Sequence, residues 1–200
     1  MQLKDIVNIS SGYPFRGSIP ENKESDICAV QMKDIAERTF INWGSCVRTE
    51  PPRIYNLEFL KPGDVLFVAR GNNNYAVFID SNADKYRAVA SPHFFILHAI
   101  KTVLPEYLVW FLNQEPCQRY FQRESEGTLT KSIRRAVLEK TPVALPDIDK
   151  QKLIVRLYQT ICEEQKTAKQ LIDNGNRIMN TIANDLIDTC SDGFHSGRKL

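Results

Sequence analysis

The sequence predicts an α+β fold, in which a mixed α/β domain is followed by one long C-terminal helix that needs a second helix to lie against. Three observations predict it. Short β-branched or aromatic runs bounded by turn residues occupy the first hundred positions, and amphipathic helical spacing takes over from Pro105. The forty residues from Asp149 to Asp188 then hold no proline and one glycine. The expected boundaries are a domain over 1–146, a helix over 147–190 and a flexible tail over 191–200.

Four segments read as strands: Ile27 to Met32, Asp64 to Ala69, Tyr75 to Asp80 and His93 to His98. Each is short, apolar and flanked by Pro, Gly, Asn or Ser. Lys61-Pro62-Gly63-Asp64 is a turn leading into the second strand, and the polar run Arg70 to Tyr75 is a protruding loop joining two antiparallel neighbours. Behind Pro105, the spacing of Tyr107, Leu108, Phe111 and Leu112 predicts a helix. Pro116 opens a second, with Tyr120 and Phe121 inward and Arg119 and Arg123 outward, which Gly127 ends. A third is expected over Ser132 to Glu139, with Lys131, Arg134 and Arg135 sharing one face and Ile133, Val137 and Leu138 the other. Thr141 to Pro146 is extended, because each proline disfavours helix in the residue before it.

The long helix carries its apolar residues in rows. Ile154, Ile161, Ala168, Gly175 and Ile182 recur at seven-residue spacing. Tyr158, Gln165, Ile172, Met179 and Leu186 form the row four further on, and Leu157, Leu171 and Ile178 the row three further on. A helix of that length reaches roughly 60 Å, further than the preceding domain is wide. Its seam, Ile154, Leu157, Ile161, Ala168, Leu171, Ile172, Gly175, Ile178 and Ile182, is therefore expected to be covered by a partner helix, with self-association the simplest case. Ala168 and Gly175 would let two backbones come close, although a mid-helix glycine can equally be a tolerated cost of about 1 kcal/mol.

Composition narrows the function. A chain of 200 residues, 42% hydrophobic and 25% charged, can build one core and a helix. It has no apolar run long enough to cross a bilayer and no signal-peptide pattern at Met1-Gln2-Leu3-Lys4-Asp5, so a cytoplasmic location is expected. The five cysteines, at 28, 46, 117, 162 and 190, include no Cys-x-x-Cys and read as reduced and mostly buried. Net charge is only +2, but six basic residues (Arg119, Arg123, Lys131, Arg134, Arg135, Lys140) face three acidic ones between Gln118 and Lys140. A phosphate-binding face is expected there, in the domain.

Recognisable catalytic patterns are missing. No Gly-x-Gly and no P-loop occur, so no nucleotide cofactor is indicated. Glu50-Pro51-Pro52-Arg53 resembles a methyltransferase motif only superficially, lacking both the Asp or Asn and the stacking aromatic. Pro146-Asp147 with Glu164-Gln165-Lys166 matches a loose metal-nuclease pattern, but a helix turns Glu164 and Lys166 about 200° apart where a strand would align them. His93 and His98 lie on opposite sides of one strand, and His195 is in the tail, so no metal site is expected. The chain reads as a binder rather than an enzyme.

Several segments together resemble the specificity subunit of type I restriction-modification systems. They are Leu3-Lys4-Asp5-Ile6, Gly12-Tyr13-Pro14-Phe15, Val30 to Ile35, Leu60 to Phe67 with Ala69-Arg70-Gly71, Ala90 to Phe94, Pro105 to Leu108 with Phe111-Leu112-Asn113, Gly127-Thr128, Leu145-Pro146, and Gln151 with Ile154. Order and spacing, rather than any single motif, carry the resemblance, which spans 1 to about 188. It implies a target recognition domain with a spacer helix that packs antiparallel against a second helix as a coiled coil. The family's subunit usually holds two such halves and this chain one, so it looks like a half-size subunit or half of a full one. A homodimer reading an interrupted palindrome would restore the pair. The implied partners are double-stranded DNA, a methyltransferase subunit and, where present, a restriction subunit, which hold the chemistry. The expected DNA contacts are Arg70, Asn72, Asn73, Asn74 and Tyr75, and Thr128, Lys131, Ser132, Arg134 and Arg135, with Arg16, Ser91 and His93 as lesser candidates. Each has a plainer alternative: a turn for the three asparagines, an ion pair for Arg70, and a solvated face for Lys131, Arg134 and Arg135. The competing reading of the whole chain is a homo-oligomeric interaction adaptor that reads no DNA sequence.

Overall fold

The computed structural model describes residues 1–36, 40–52, 57–71, 73–125 and 131–195. Its central sheet is antiparallel, in the order β1 (Val7–Ser11), β10 (Phe94–Ala99), β6 (Val65–Val68), β8 (Ala76–Phe78). A second sheet runs β5 (Val47–Arg48), β2 (Ile27–Val30), β9 (Arg87–Ala90), with β2 and β9 parallel. β3 (Ile35–Ala36) and β4 (Phe40–Ile41) pair separately, as do β7 (Arg70–Gly71) and β11 (Lys131–Ser132). The helices are α1 (Pro105–Asn113), α2 (Glu115–Glu124), α3 (Arg135–Glu139) and α4 (Ile148–His195).

The run Val65-Leu66-Phe67-Val68 is apolar throughout because both faces of the central sheet are covered. Val65 and Phe67, with Leu97, pack towards Leu108, Leu112 and Phe121 of α1 and α2; the Phe67 and Phe121 rings lie 5.0 Å apart. Leu66 and Val68, with Phe94 and Ile96, pack towards Cys28, Val30, Ala88 and Ala90 of the second sheet. Each pair of neighbours along β6 thus alternates between two cores, as period-2 geometry requires. All four expected strands form, three inside their expected spans and the fourth, β10, running one residue past its own to Ala99, and β1, β5 and β9 complete the two sheets.

The extended segment after α3 is held by the chain's beginning. Leu3 N–H donates to the Thr141 carbonyl at 2.9 Å, and Val143 N–H donates to the Met1 carbonyl at 3.0 Å. Gly12 crosses from one sheet to the other, its N–H donating to Phe94 and the next, Tyr13 N–H, to Ala90. An added Cβ at Gly12 would sit 2.0 Å from the Ser91 carbonyl oxygen, so no other residue fits without moving backbone.

The Lys61-Pro62-Gly63-Asp64 turn has its glycine at φ +90° and anchors a charged clamp not foreseen from sequence. Asp64 is buried, accepts Lys61 N–H through Oδ2 at 2.8 Å, and meets His98 Nδ1 through Oδ1 at 2.7 Å. His98 Nε2 lies 2.7 Å from Glu58 Oε1. Burial works against the imidazolium, but the hydrogen bonds and charges of Glu58 and Asp64 outweigh it and raise the His98 pKa above 6.5. The clamp's contribution to stability is therefore full below pH 6.5 and is lost as pH climbs through the higher folded-state value. Urea unfolding of the native protein and of His98→Gln, compared from about pH 5 to about pH 9, should show a stability gap that narrows as pH rises. A gap that widens with pH would contradict a charged clamp.

The chain divides into two units, Met1–Val155 and Arg156–Leu200. In the first, the opening turns of α4 are fastened by Gln151, which is fully buried. Its Nε2 donates to the carbonyls of Thr102 at 3.0 Å and Pro146 at 2.9 Å, and its Oε1 accepts Leu104 N–H at 2.9 Å. In the second, the helix continues with Leu157, Ile161, Leu171, Ile172, Ile178 and Ile182 between 41% and 67% exposed. α4 starts at Ile148, one residue inside the expected 147–190, and runs beyond 190 to His195, a length of 48 residues or about 72 Å. It therefore includes 191–195 of the segment expected to be a flexible tail, while 196–200 lie outside the described residues. Among the described residues no helix is long and apolar enough to cross a membrane.

Candidate nucleic-acid interface

The two basic or polar segments singled out in the sequence meet in a ribbon at the edge of the core. β7 and β11 pair antiparallel, Arg70 opposite Ser132 and Gly71 opposite Lys131. The ribbon grows from the central sheet: Ala69 N–H donates to the His93 carbonyl and Ile133 N–H to the Ala69 carbonyl, both at 2.8 Å. Nothing local in the sequence signals this pairing, which joins residues sixty apart. It also corrects the expected third helix. Lys131 and Ser132 are strand, α3 begins only at Arg135, and Arg134 is its extended N-cap at φ −72° and ψ 151°. Lys131, Arg134 and Arg135 accordingly do not share a helical face; ladder bonds to β7 hold the first of these positions extended.

The loop from Arg70 to Tyr75 does join antiparallel neighbours, β6 and β8. Its asparagines are not equivalent. Asn74 is buried and its amide donates to the carbonyls of Val68 at 2.9 Å and Ala69 at 3.1 Å. These bonds brace the turn and occupy both amide hydrogens within the fold, the structural role that the turn alternative describes. Asn73 is exposed, Tyr75 is half-buried against the inter-sheet core, and Asn72 lies outside the described residues. The loop's far end is pinned by Asn113 of α1, whose side chain imitates a neighbouring strand. It accepts Ala76 N–H and donates to the Ala76 carbonyl, each at 2.8 Å.

Arg70 is exposed, and among the described residues no carboxylate or carbonyl holds its guanidinium. Gly71 adopts φ +147°, and an added Cβ would come within 3.3 Å of Met32 Sδ. Ser132 is half-buried and Arg134 exposed. Arg135 is exposed and pairs with Glu139 through Nε at 2.8 Å, one helical turn on. Arg119 and Arg123 project outward from α2, as expected, each beside a glutamate of the same helix. Thr128 and Gly127 lie outside the described residues.

The family model for the type I restriction modification DNA specificity domain matches residues 1–174. The chain belongs to that family.

Three solved structures share the specificity-domain fold. The S subunit of the type I restriction-modification system of M. genitalium is 12% identical, with a TM-score of 0.55 over 94% of this chain and 45% of its own. A chain from a type I R-M system, solved for its complex assembly and conformational transition, is 15% identical, with a TM-score of 0.61 over 84% of this chain and 39% of its own. The HsdS subunit of Thermoanaerobacter tengcongensis is 15% identical, with a TM-score of 0.57 over 84% of this chain and 38% of its own. At such identities the likeness is one of fold, and this specificity domain spans less than half the length of each. No curated protein matches the sequence.

The remaining candidates fall on other parts of the specificity domain. Arg16 is exposed beside Gly17, which has φ +75°. Ser91 is buried and His93 half-buried; the Ser91 Oγ and His93 Nδ1 atoms are buried and meet no partner among the described residues. Of the helical seam, Ile154 is half-buried in the first unit, whereas Leu157, Ile161, Ala168, Leu171, Ile172, Gly175, Ile178 and Ile182 are exposed. Glu164 and Lys166 are exposed helical residues. Among the described residues, no cluster of His, Cys, Asp and Glu has the arrangement of a metal site.

Proposed function

We propose that the chain supplies target recognition in a type I restriction-modification complex. It binds duplex DNA at a defined sequence and directs a methyltransferase subunit, with a restriction subunit where one assembles, to a bipartite target in the cytoplasm. What carries the reading is the β7–β11 ribbon in a member of the DNA specificity family: it brings Arg70 and Ser132 together and leads directly into the exposed Arg134 and Arg135. Residues 1–146 would read the DNA, 147–190 would act as a spacer and 191–200 as a tail. The methyl transfer and cleavage belong to the partner subunits.

The reading also needs two recognition domains at a fixed separation, and the exposed rows of the helix suit pairing with a second copy, antiparallel, along Ile154, Leu157, Ile161, Ala168, Leu171, Ile172, Gly175, Ile178 and Ile182. A two-fold pair predicts an interrupted palindrome. The test is binding of the chain with its methyltransferase subunit to a library of duplexes. One interrupted sequence should be selected, with an affinity that falls steeply with salt, and Arg134→Ala should lower the salt slope by about one unit. Binding that is absent, or indifferent to salt, rejects the proposal.

A further inference from the structure

We infer that Arg70 and Ser132 form one base-reading face of the ribbon, with Arg70 specifying a guanine in the major groove; this rests on the DNA-recognition reading above. Directly opposed residues of an antiparallel pair project to the same side, so Arg70 and Ser132 share a face, and Gly71, the next residue along β7, lies on the other. The Gly71 side is turned inward: a Cβ there would meet Met32 Sδ at 3.3 Å and Val68 Cγ1 at 3.9 Å. Arg70 is on the opposite side and exposed. A two-stranded ribbon fits the width of the major groove, and a planar guanidinium matches O6 and N7 of guanine with two parallel hydrogen bonds.

Arg70 also has the fixed footing that base reading requires and a loose phosphate contact does not. The residue before it is held by hydrogen bonds to three separate segments. Ala69 donates to His93, and its carbonyl accepts from Ile133 N–H and from the Asn74 amide. Among the described residues nothing competes for the guanidinium. An arginine on a braced strand stem, unpaired among the described residues, loses little freedom on meeting a base edge. Ser132, next to it, can donate to or accept from the adjoining base, which makes its own preference weaker.

The test compares the native chain, Arg70→Lys and Arg70→Ala, each with the methyltransferase subunit, on the selected duplex and on every single base-pair substitution of it. Arg70→Lys keeps the charge but not the fork. Both variants should lose about ten- to a hundredfold in affinity for the selected duplex and become indifferent to one G·C pair in each half-site while keeping preference at the other positions. Replacing that guanine by 7-deazaguanine should weaken the native protein and leave Arg70→Ala unchanged. If Arg70→Lys instead behaves as the native chain, or Arg70→Ala weakens all duplexes alike, Arg70 holds a phosphate and the inference is overturned while target recognition stands. If the native chain selects no sequence, both fall.

Discussion

Gly12→Ala is expected to cost about 3 kcal/mol or more, a large share of the ~5–15 kcal/mol that holds a domain of this size together. The new Cβ would lie 2.0 Å from the Ser91 carbonyl oxygen and 2.9 Å from that of Ala90, both of them backbone atoms that cannot rotate away. Relief requires separating the strand crossing, and with it the Gly12-to-Phe94 and Tyr13-to-Ala90 hydrogen bonds that tie the two sheets. Urea unfolding followed by tryptophan fluorescence should show the loss as a lower midpoint. Gly44→Ala is the control, since its Cβ would meet only the Asn42 side chain at 3.5 Å, an ordinary contact. Equal midpoints for the two variants would mean that the crossing yields more easily than its geometry indicates.

The second large effect concerns the seam. Leu171→Asp combined with Ile178→Asp should convert a helix-paired dimer into monomers, weakening association more than about a thousandfold. Both side chains are at least 60% exposed in the single chain. Covering a leucine or isoleucine is worth roughly 1.5–3 kcal/mol, and a two-fold pair loses each side chain twice. Carboxylates placed at the same positions add a desolvation cost. Sedimentation equilibrium measures the mass, while an unchanged unfolding midpoint for the tryptophan-containing domain would show that the first unit is intact. A native chain that stays monomeric at high concentration, or a variant that stays dimeric, removes self-pairing along this seam. Gly175→Ala refines the picture: alone, the added methyl meets nothing within 4 Å and should favour the helix, so weaker pairing would locate the close crossing there.

Sequence periodicity resolved the parts of the fold whose cause is local. The continuous apolar run of β6 reflects burial on both faces, and the seven-residue rows of α4 reflect a helix with one greasy side. β1 and β9 were not legible because their residues, Val7-Asn8-Ile9-Ser10-Ser11 and Arg87-Ala88-Val89-Ala90, are short and either polar or small. β11 was read as the start of a helix because Ser132 to Glu139 has helical spacing, while the partner that keeps Lys131 and Ser132 extended lies at Arg70 and Gly71. At the candidate site the right segments were legible as polar or basic loops, but the division of labour within them was not. Whether an asparagine amide reaches solvent or turns back to Val68 and Ala69 depends on the path of the turn, which composition does not encode. The Asp64–His98–Glu58 clamp was missed for a related reason, since its members are 34 and 40 positions apart.

Gln151 fastens the helix using only main-chain atoms of the domain: the carbonyls of Thr102 and Pro146 and the N–H of Leu104. Any amino acid can offer a carbonyl, and any except proline can offer an N–H. The fastening thus follows the path of the main chain at those three positions rather than which side chains they carry, proline at 104 excepted, and substitutions elsewhere on the domain surface leave its hydrogen bonds in place. Whatever keeps those three peptide groups in register keeps the helix's first turns in their place.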